Sequence, residues 1–104
     1  MRLKITHMRV IAFRTLREYA EKHAEAYIPL NEWYRKTSKS QWRSLADIKC
    51  TFNSVDYVGN KRYVFNIKGN KYRIVAMVLF DIQQVYIRFV GSHREYEKID
   101  CSKI

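Results

Sequence analysis

A long alternation of apolar and polar residues in the C-terminal half constrains this chain more than any other feature. Residues 62–67 read Arg-Tyr-Val-Phe-Asn-Ile. Lys68-Gly69-Asn70, a run over 71–80, a short turn and a run over 85–91 follow. Successive side chains of a strand point to opposite sides of a sheet, so these runs sort by parity. A hairpin turn at Gly69-Asn70 sets Asn66 opposite Arg73 and Phe65 opposite Ile74. A second turn at Ile82-Gln83 sets Met77 opposite Arg88 and Val75 opposite Val90. One face then collects Tyr63, Phe65, Ile74, Val78, Ile87 and Phe89 in a near-pure apolar layer. The other carries Arg62, Asn66, Arg73, Arg88 and Val90 among Val64, Val75, Met77 and Tyr86. A slip of one residue would bury the arginines, a costly arrangement without partners.

The N-terminal half supplies cover for the apolar layer. Residues 9–13 (Arg-Val-Ile-Ala-Phe) form a short strand candidate. Thr15 with Glu18 has the spacing of a capping box, and Leu16, Tyr19, Ala20 and His23 fall on one helical stripe. A second helix is expected over 24–36, with Pro29 marking a first turn or a kink. Residues 37–40 break the pattern. Ser44 starts a short helix with Asp47 at the box position, carrying Leu45 and Ile48. Residues 55–58 read as a strand and Gly59-Asn60 as a turn. The expectation is one α+β domain over 8–104, with a twisted, mainly antiparallel sheet and helices packed on one face. Met8 opens the first strand-like run, so residues 1–7 read as an N-terminal extension.

The chain has 104 residues, which suits one core. Twenty Lys and Arg against ten Asp and Glu give a formal charge of +10, which favours a polyanionic partner. Cys50 and Cys101 form no C-x-x-C spacing, and with His7, His23 and His93 they make no zinc pattern. The aspartates show no carboxylate cluster, so neither a metal nor another cofactor is expected. No apolar run has the length of a membrane span, and the first residues do not read as a signal peptide. A reducing, cytoplasmic setting is the simpler expectation.

Chemistry concentrates on the arginine face and the segment after it. Arg73 and Arg88 are expected on adjacent strands pointing the same way. Paired guanidinium groups hold a phosphate by charge-assisted hydrogen bonds and stabilise a pentacoordinate phosphorane. Ser92 has the setting of an N-cap with Glu95 at the box position, which puts His93 and Tyr96 one turn apart on one side of a helix. Histidine is the side chain best suited to proton transfer near neutral pH, and a tyrosine stacks on a base or orients a phosphate. Lys61, Arg62, Lys68 and Lys71 suit sequence-blind phosphate contacts. The same arginines also fit an ordinary solvated sheet face.

These residues resemble a known family. The stretch 63–75, Tyr-Val-Phe-Asn-Ile-Lys-Gly-Asn-Lys-Tyr-Arg-Ile-Val, is similar to the FNIGGNKYRLV segment of HigB toxins. The stretch 85–96, Val-Tyr-Ile-Arg-Phe-Val-Gly-Ser-His-Arg-Glu-Tyr, is similar to their VYIRFVGTHAEYD end. Met8-Arg9-Val10-Ile11-Ala12, the helix at Thr15-Leu16-Arg17-Glu18, and Leu30 to Tyr34 with Trp42 extend the likeness over residues 8–100. Lys68 stands where Gly is common, Ser92 where Thr is, and Glu97 where Asp is. The resemblance implies a RelE-like, microbial-ribonuclease-type fold. It implies the toxin of a type II toxin-antitoxin system, a ribosome-dependent mRNA endoribonuclease working through 2′-hydroxyl attack without metal. The implied partners are mRNA on the 70S ribosome and a HigA-type helix-turn-helix antitoxin, with operator DNA reached only through that antitoxin. Carried over by position, Arg73, His93 and Tyr96 are the implied catalytic residues, with Arg88 in support and Lys61, Arg62, Lys68 and Lys71 guiding RNA. The alternative is an RNA- or ribosome-binding module that blocks translation by occupancy, using the same basic face without needing His93.

Overall fold

The computed structural model describes residues 7–104; positions 1–6, most of the expected extension, lie outside the described residues. Met8 is 2% exposed and belongs to the core. Its backbone N–H donates to the Ser40 carbonyl at 2.8 Å, and its sulfur accepts from the Trp42 N–H at 3.4 Å.

The elements are β1 (Arg9–Ile11), α1 (Phe13–Lys22), a 3₁₀ turn (Ala24–Ala26), α2 (Tyr27–Ser38), α3 (Leu45–Thr51), β2 (Val55–Gly59), β3 (Arg62–Ile67), β4 (Tyr72–Leu79), β5 (Gln84–Ser92) and α4 (His93–Tyr96). They form the expected α+β architecture. Among the described residues the sheet has five strands in the order β1-β5-β4-β3-β2. β1 pairs parallel with β5 and the other pairs are antiparallel.

The β3–β4 register is the expected one, with Asn66 facing Arg73 and Phe65 facing Ile74. The β4–β5 register differs. Met77 faces Tyr86 rather than Arg88, and Val90 faces Ile74 rather than Val75. Two causes act together. First, the connection spans residues 80–83: Gln83 has a left-handed φ of 54°, and its side chain donates to the carbonyls of Phe80 and Trp42 at 2.9 and 2.6 Å. Second, Ala76 faces Ile87 while Val75 faces Phe89, so Arg88 is the extra residue of a β-bulge. Parity reverses past the bulge. Val90 therefore packs against the core, and Phe89 crosses to the arginine face, the reverse of the sequence expectation.

The helices cover the apolar face. α1 starts earlier than the Thr15 box suggests, with Ala12 at a φ of 70° as its N-cap and no side-chain cap bond. Thr15 thus lies inside the first turn. α2 runs through to Ser38, and Pro29 is its third residue, where a missing N–H costs no helical bond. α3 follows Ser44 as expected, and the Asp47 carboxylate accepts from the Arg43 N–H at 2.7 Å. At the centre, the Phe65 ring lies 5.2 Å from Trp33, 6.1 Å from Trp42 and 5.6 Å from Phe52 between centroids.

The arginine face is not bare. Val64 and Val75 are 1% and 0% exposed yet stand apart from the helix-covered core. Residues 97–104 turn back over this side. The Ile104 main-chain oxygen accepts from Nε and Nη2 of Arg62, and the Ser102 carbonyl accepts from Asn60.

Candidate active site

Strand pairing fixes Arg73. It faces Asn66 on β3 and Gly91 on β5. Gly91 is needed for close approach: a Cβ there would stand 2.6 Å from Phe89 Cζ and 3.1 Å from Glu95 Oε1. The ring that the bulge sends across thus lies over the glycine facing Arg73. The Arg73 guanidinium sits over the Tyr96 ring, with Cζ 4.6 Å from the centroid. A cation over an aromatic face is attracted by the ring quadrupole. Arg73 Nε is screened from solvent and has no hydrogen-bond partner among the described residues.

The single turn of α4 holds Tyr96. Ser92 Oγ accepts from the Glu95 N–H at 3.1 Å, and Glu95 Oε1 accepts from the Ser92 N–H at 2.7 Å, a complete capping box. The His93 N–H donates to the Lys71 carbonyl at 3.2 Å, which pins the start of α4 to the start of β4. The Tyr19 hydroxyl donates to Glu95 Oε1 at 3.0 Å and ties the turn to α1. A four-residue helix has too little propensity to form alone, so these contacts decide its position. Ser92→Ala should lower unfolding free energy by ~1 kcal/mol, measured by urea denaturation; a loss near zero would mean the cap is redundant.

The electrostatics follow the geometry. Burial pushes the Tyr96 phenol above its ordinary value, the Cys101 thiol 3.3 Å from its hydroxyl adds to this, and the Arg73 cation opposes it. The Ser92 backbone N–H holds the Glu95 carboxyl below the usual glutamate range, helped by the Tyr19 and Ser92 hydroxyls. A depressed carboxyl contributes stability above its unfolded-state pKa and loses it as pH falls through the folded one, so the cap weakens only in acid. Burial, then Glu95, raises the Tyr19 phenol, which stays a donor.

His93 lies one turn before Tyr96, half-exposed, with Nε2 3.6 Å from the Glu97 carboxylate. Arg73, Tyr96 and His93 therefore share the corner where β4 begins and β5 ends. Lys68 and Lys71 flank that corner on the β3–β4 turn. Lys68 is exposed, while Lys71 is paired with Glu25, which raises the amine and lowers the carboxyl. Arg88 is exposed in the bulge and leans over the Tyr86 ring at 5.3 Å, on the side away from Gly91. Lys61 lies at the opposite end of β3, in the Asn60-Lys61 turn where both residues have positive φ. Arg62 is a correction. It is 8% exposed and its nitrogens are committed to the Ile104 main-chain oxygen and the Asn60 carbonyl, so it does not present itself to RNA.

Sequence reasoning missed Phe89, moved by the bulge, and Cys101, which reaches Tyr96 only because the last segment folds back. No local periodicity signals either. Among the described residues no group of three or more His, Cys, Asp or Glu could hold a metal ion, and no helix is long and apolar enough to cross a membrane.

A helix-backed sheet that sets Arg73 over Tyr96 beside the turn opened by His93 defines a small, basic α+β protein. Residues 26–99 match the family model described as HigB toxin, the RelE-like toxic component of a toxin-antitoxin system. The mRNA interferase toxin HigB of Escherichia coli strain K12 is 37% identical over 93 residues, covering 86% of this chain and 88% of that protein. The mRNA interferase HigB of Shigella flexneri gives the same figures, 37% over 93 residues. One from Escherichia coli O6:H1 is 24% identical over 94 residues, covering 88% of this chain and 91% of its own length. This chain belongs to the HigB toxin family.

Proposed function

We propose that this chain is an mRNA endoribonuclease that cuts message on translating ribosomes and so arrests growth. One observation carries the reading: the Arg73 guanidinium lies over the ring of Tyr96, in the turn that opens with His93. The names of the relatives, mRNA interferases, support the substrate. The ribose 2′-hydroxyl attacks its own 3′-phosphate, leaving a 2′,3′-cyclic phosphate and a free 5′-hydroxyl. Arg73 neutralises the charge that builds on the phosphorane oxygens. The His93 imidazole takes the 2′-hydroxyl proton or returns one to the 5′-oxygen, and the Glu97 carboxylate steadies it when charged. Tyr96 holds the guanidinium and stays protonated. Lys68, Arg88 and Lys71 draw in the RNA backbone, with Lys61 further along the face. The partners are a HigA-type helix-turn-helix antitoxin, with operator DNA reached through it, and the working place is the cytoplasm, where translated mRNA is found.

His93→Ala should slow cleavage by ~10²–10⁴-fold and relieve the growth arrest caused by expression. Primer extension on messages from arrested cells tests this. New 5′ ends within codons for the parent, absent for the variant, are expected. A folded His93→Ala protein that remains fully toxic would remove histidine from the mechanism and favour a block by occupancy.

A further inference from the structure

We propose that Arg62 is a positioning residue for the reaction: it anchors the 97–104 segment whose Cys101 holds the Tyr96 hydroxyl, and thereby sets the platform on which Arg73 lies. The inference rests on the endoribonuclease reading above. Arg62 stands on β3 facing Met77, on the same side of the sheet as Arg73. Its Nε and Nη2 donate to the Ile104 main-chain oxygen at 2.8 and 2.5 Å, and its Nη1 donates to the Asn60 carbonyl at 2.8 Å. Asn60 Nδ2 in turn donates to the Ser102 carbonyl at 3.2 Å. The Asp100 carboxylate accepts from the Ser102 N–H and hydroxyl at 3.2 and 2.7 Å and shapes the turn between. That turn presents Cys101 Sγ 3.3 Å from the Tyr96 hydroxyl. The contacts run without a break from Arg62 through the segment to Tyr96, and from Tyr96 to Arg73.

Burying a guanidinium is expensive even when its hydrogen bonds are made, and an apolar side chain of similar length would cover Val64 and Val75 without that cost. What arginine adds is direction: a planar fork fixes where the 97–104 backbone lies. The need is local. The start of α4 is tied down by its cap and by the Lys71 carbonyl, whereas the hydroxyl end of Tyr96 has Cys101 as its hydrogen-bond partner. A platform displaced by a fraction of an ångström tilts Arg73 away from the reacting phosphate.

The test compares wild type with Arg62→Met, Arg62→Lys and Cys101→Ala, all full length. Single-turnover cleavage and affinity are measured on programmed translating ribosomes, Tyr96 is followed by NMR in ¹³C-tyrosine protein, and folding by thermal melting. Arg62→Met should cleave ~10–100-fold more slowly, with affinity within about twofold of wild type, and should shift the Tyr96 resonance. Arg62→Lys, still long enough to reach the Ile104 main-chain oxygen, should recover part of the rate. Cys101→Ala should reproduce the Tyr96 shift and part of the slowing. A folded Arg62→Met protein with wild-type cleavage, an unmoved Tyr96 resonance, or a deficit wholly in affinity would overturn the proposal. Should Arg62→Met fail to fold, Cys101→Ala decides, and a wild-type rate with an unmoved resonance sinks the idea. A wild-type protein that leaves translated message intact would refute the endoribonuclease reading, while the Tyr96 resonance would still judge the anchoring.

Discussion

Arg73→Ala should reduce mRNA cleavage by ~10²–10³-fold, the size of effect seen when one preorganised donor to a developing oxyanion is removed. The guanidinium is half-buried over the Tyr96 ring, so its charge acts close to the phosphate rather than through bulk water. Arg73→Lys should recover only part of the rate, because an ammonium keeps the charge but not the planar fork or the stacking. Single-turnover cleavage on programmed ribosomes measures both, and far-ultraviolet circular dichroism confirms the fold. The Tyr96 phenol reports independently: Arg73 opposes its upward shift, so its pKa should rise further in Arg73→Ala. Full cleavage by a folded Arg73→Ala protein would leave the corner without its central charge and end the mechanism proposed.

Phe65→Ala should destabilise the fold by ~3–5 kcal/mol. The ring is 1% exposed and lies within 6.1 Å, centroid to centroid, of Trp33, Trp42 and Phe52. These residues come from α2, the α2–α3 connection, the end of α3 and the sheet, so the void has no single neighbour able to fill it. Domains of this size hold only ~5–15 kcal/mol in total, so one substitution removes a large share. Urea denaturation monitored by tryptophan fluorescence tests this. A loss under ~1 kcal/mol would mean the three remaining rings repack as a fluid layer, contrary to close packing. The loss should not be specific to catalysis: at low temperature the folded fraction of Phe65→Ala should cut at the normal rate.

The sheet was the most legible part of the chain because its two faces differ so sharply. Parity alone separates Phe65 and Ile74 from Asn66 and Arg73, and Gly69-Asn70 pins that hairpin. The next hairpin was less legible for a physical reason. A bulge at Arg88 leaves the residues on either side looking like an unbroken strand, since Ile87, Phe89 and Val90 are all apolar. Its signal is three-dimensional: Phe89 must find room over Gly91. Helix starts divided the same way. The Ser92–Glu95 box forms as its spacing implies, whereas α1 begins at an Ala12 in the left-handed region that no side chain announces. Arg62 shows where alternation misleads. Its position faces outward from the core, but a distant stretch of the same chain covers that spot, and contacts of such long range leave no mark on local pattern. The corner of Arg73, Tyr96 and His93 was legible as a neighbourhood; the tie from Cys101 was not.

The parallel pairing of β1 with β5 has a bearing on how such a protein is made. β1 has no strand neighbour until β5 has been made, and α4 comes later still. A nascent copy that stops short of β5 therefore has β1 unpaired and the contact between Arg73 and Tyr96 unmade.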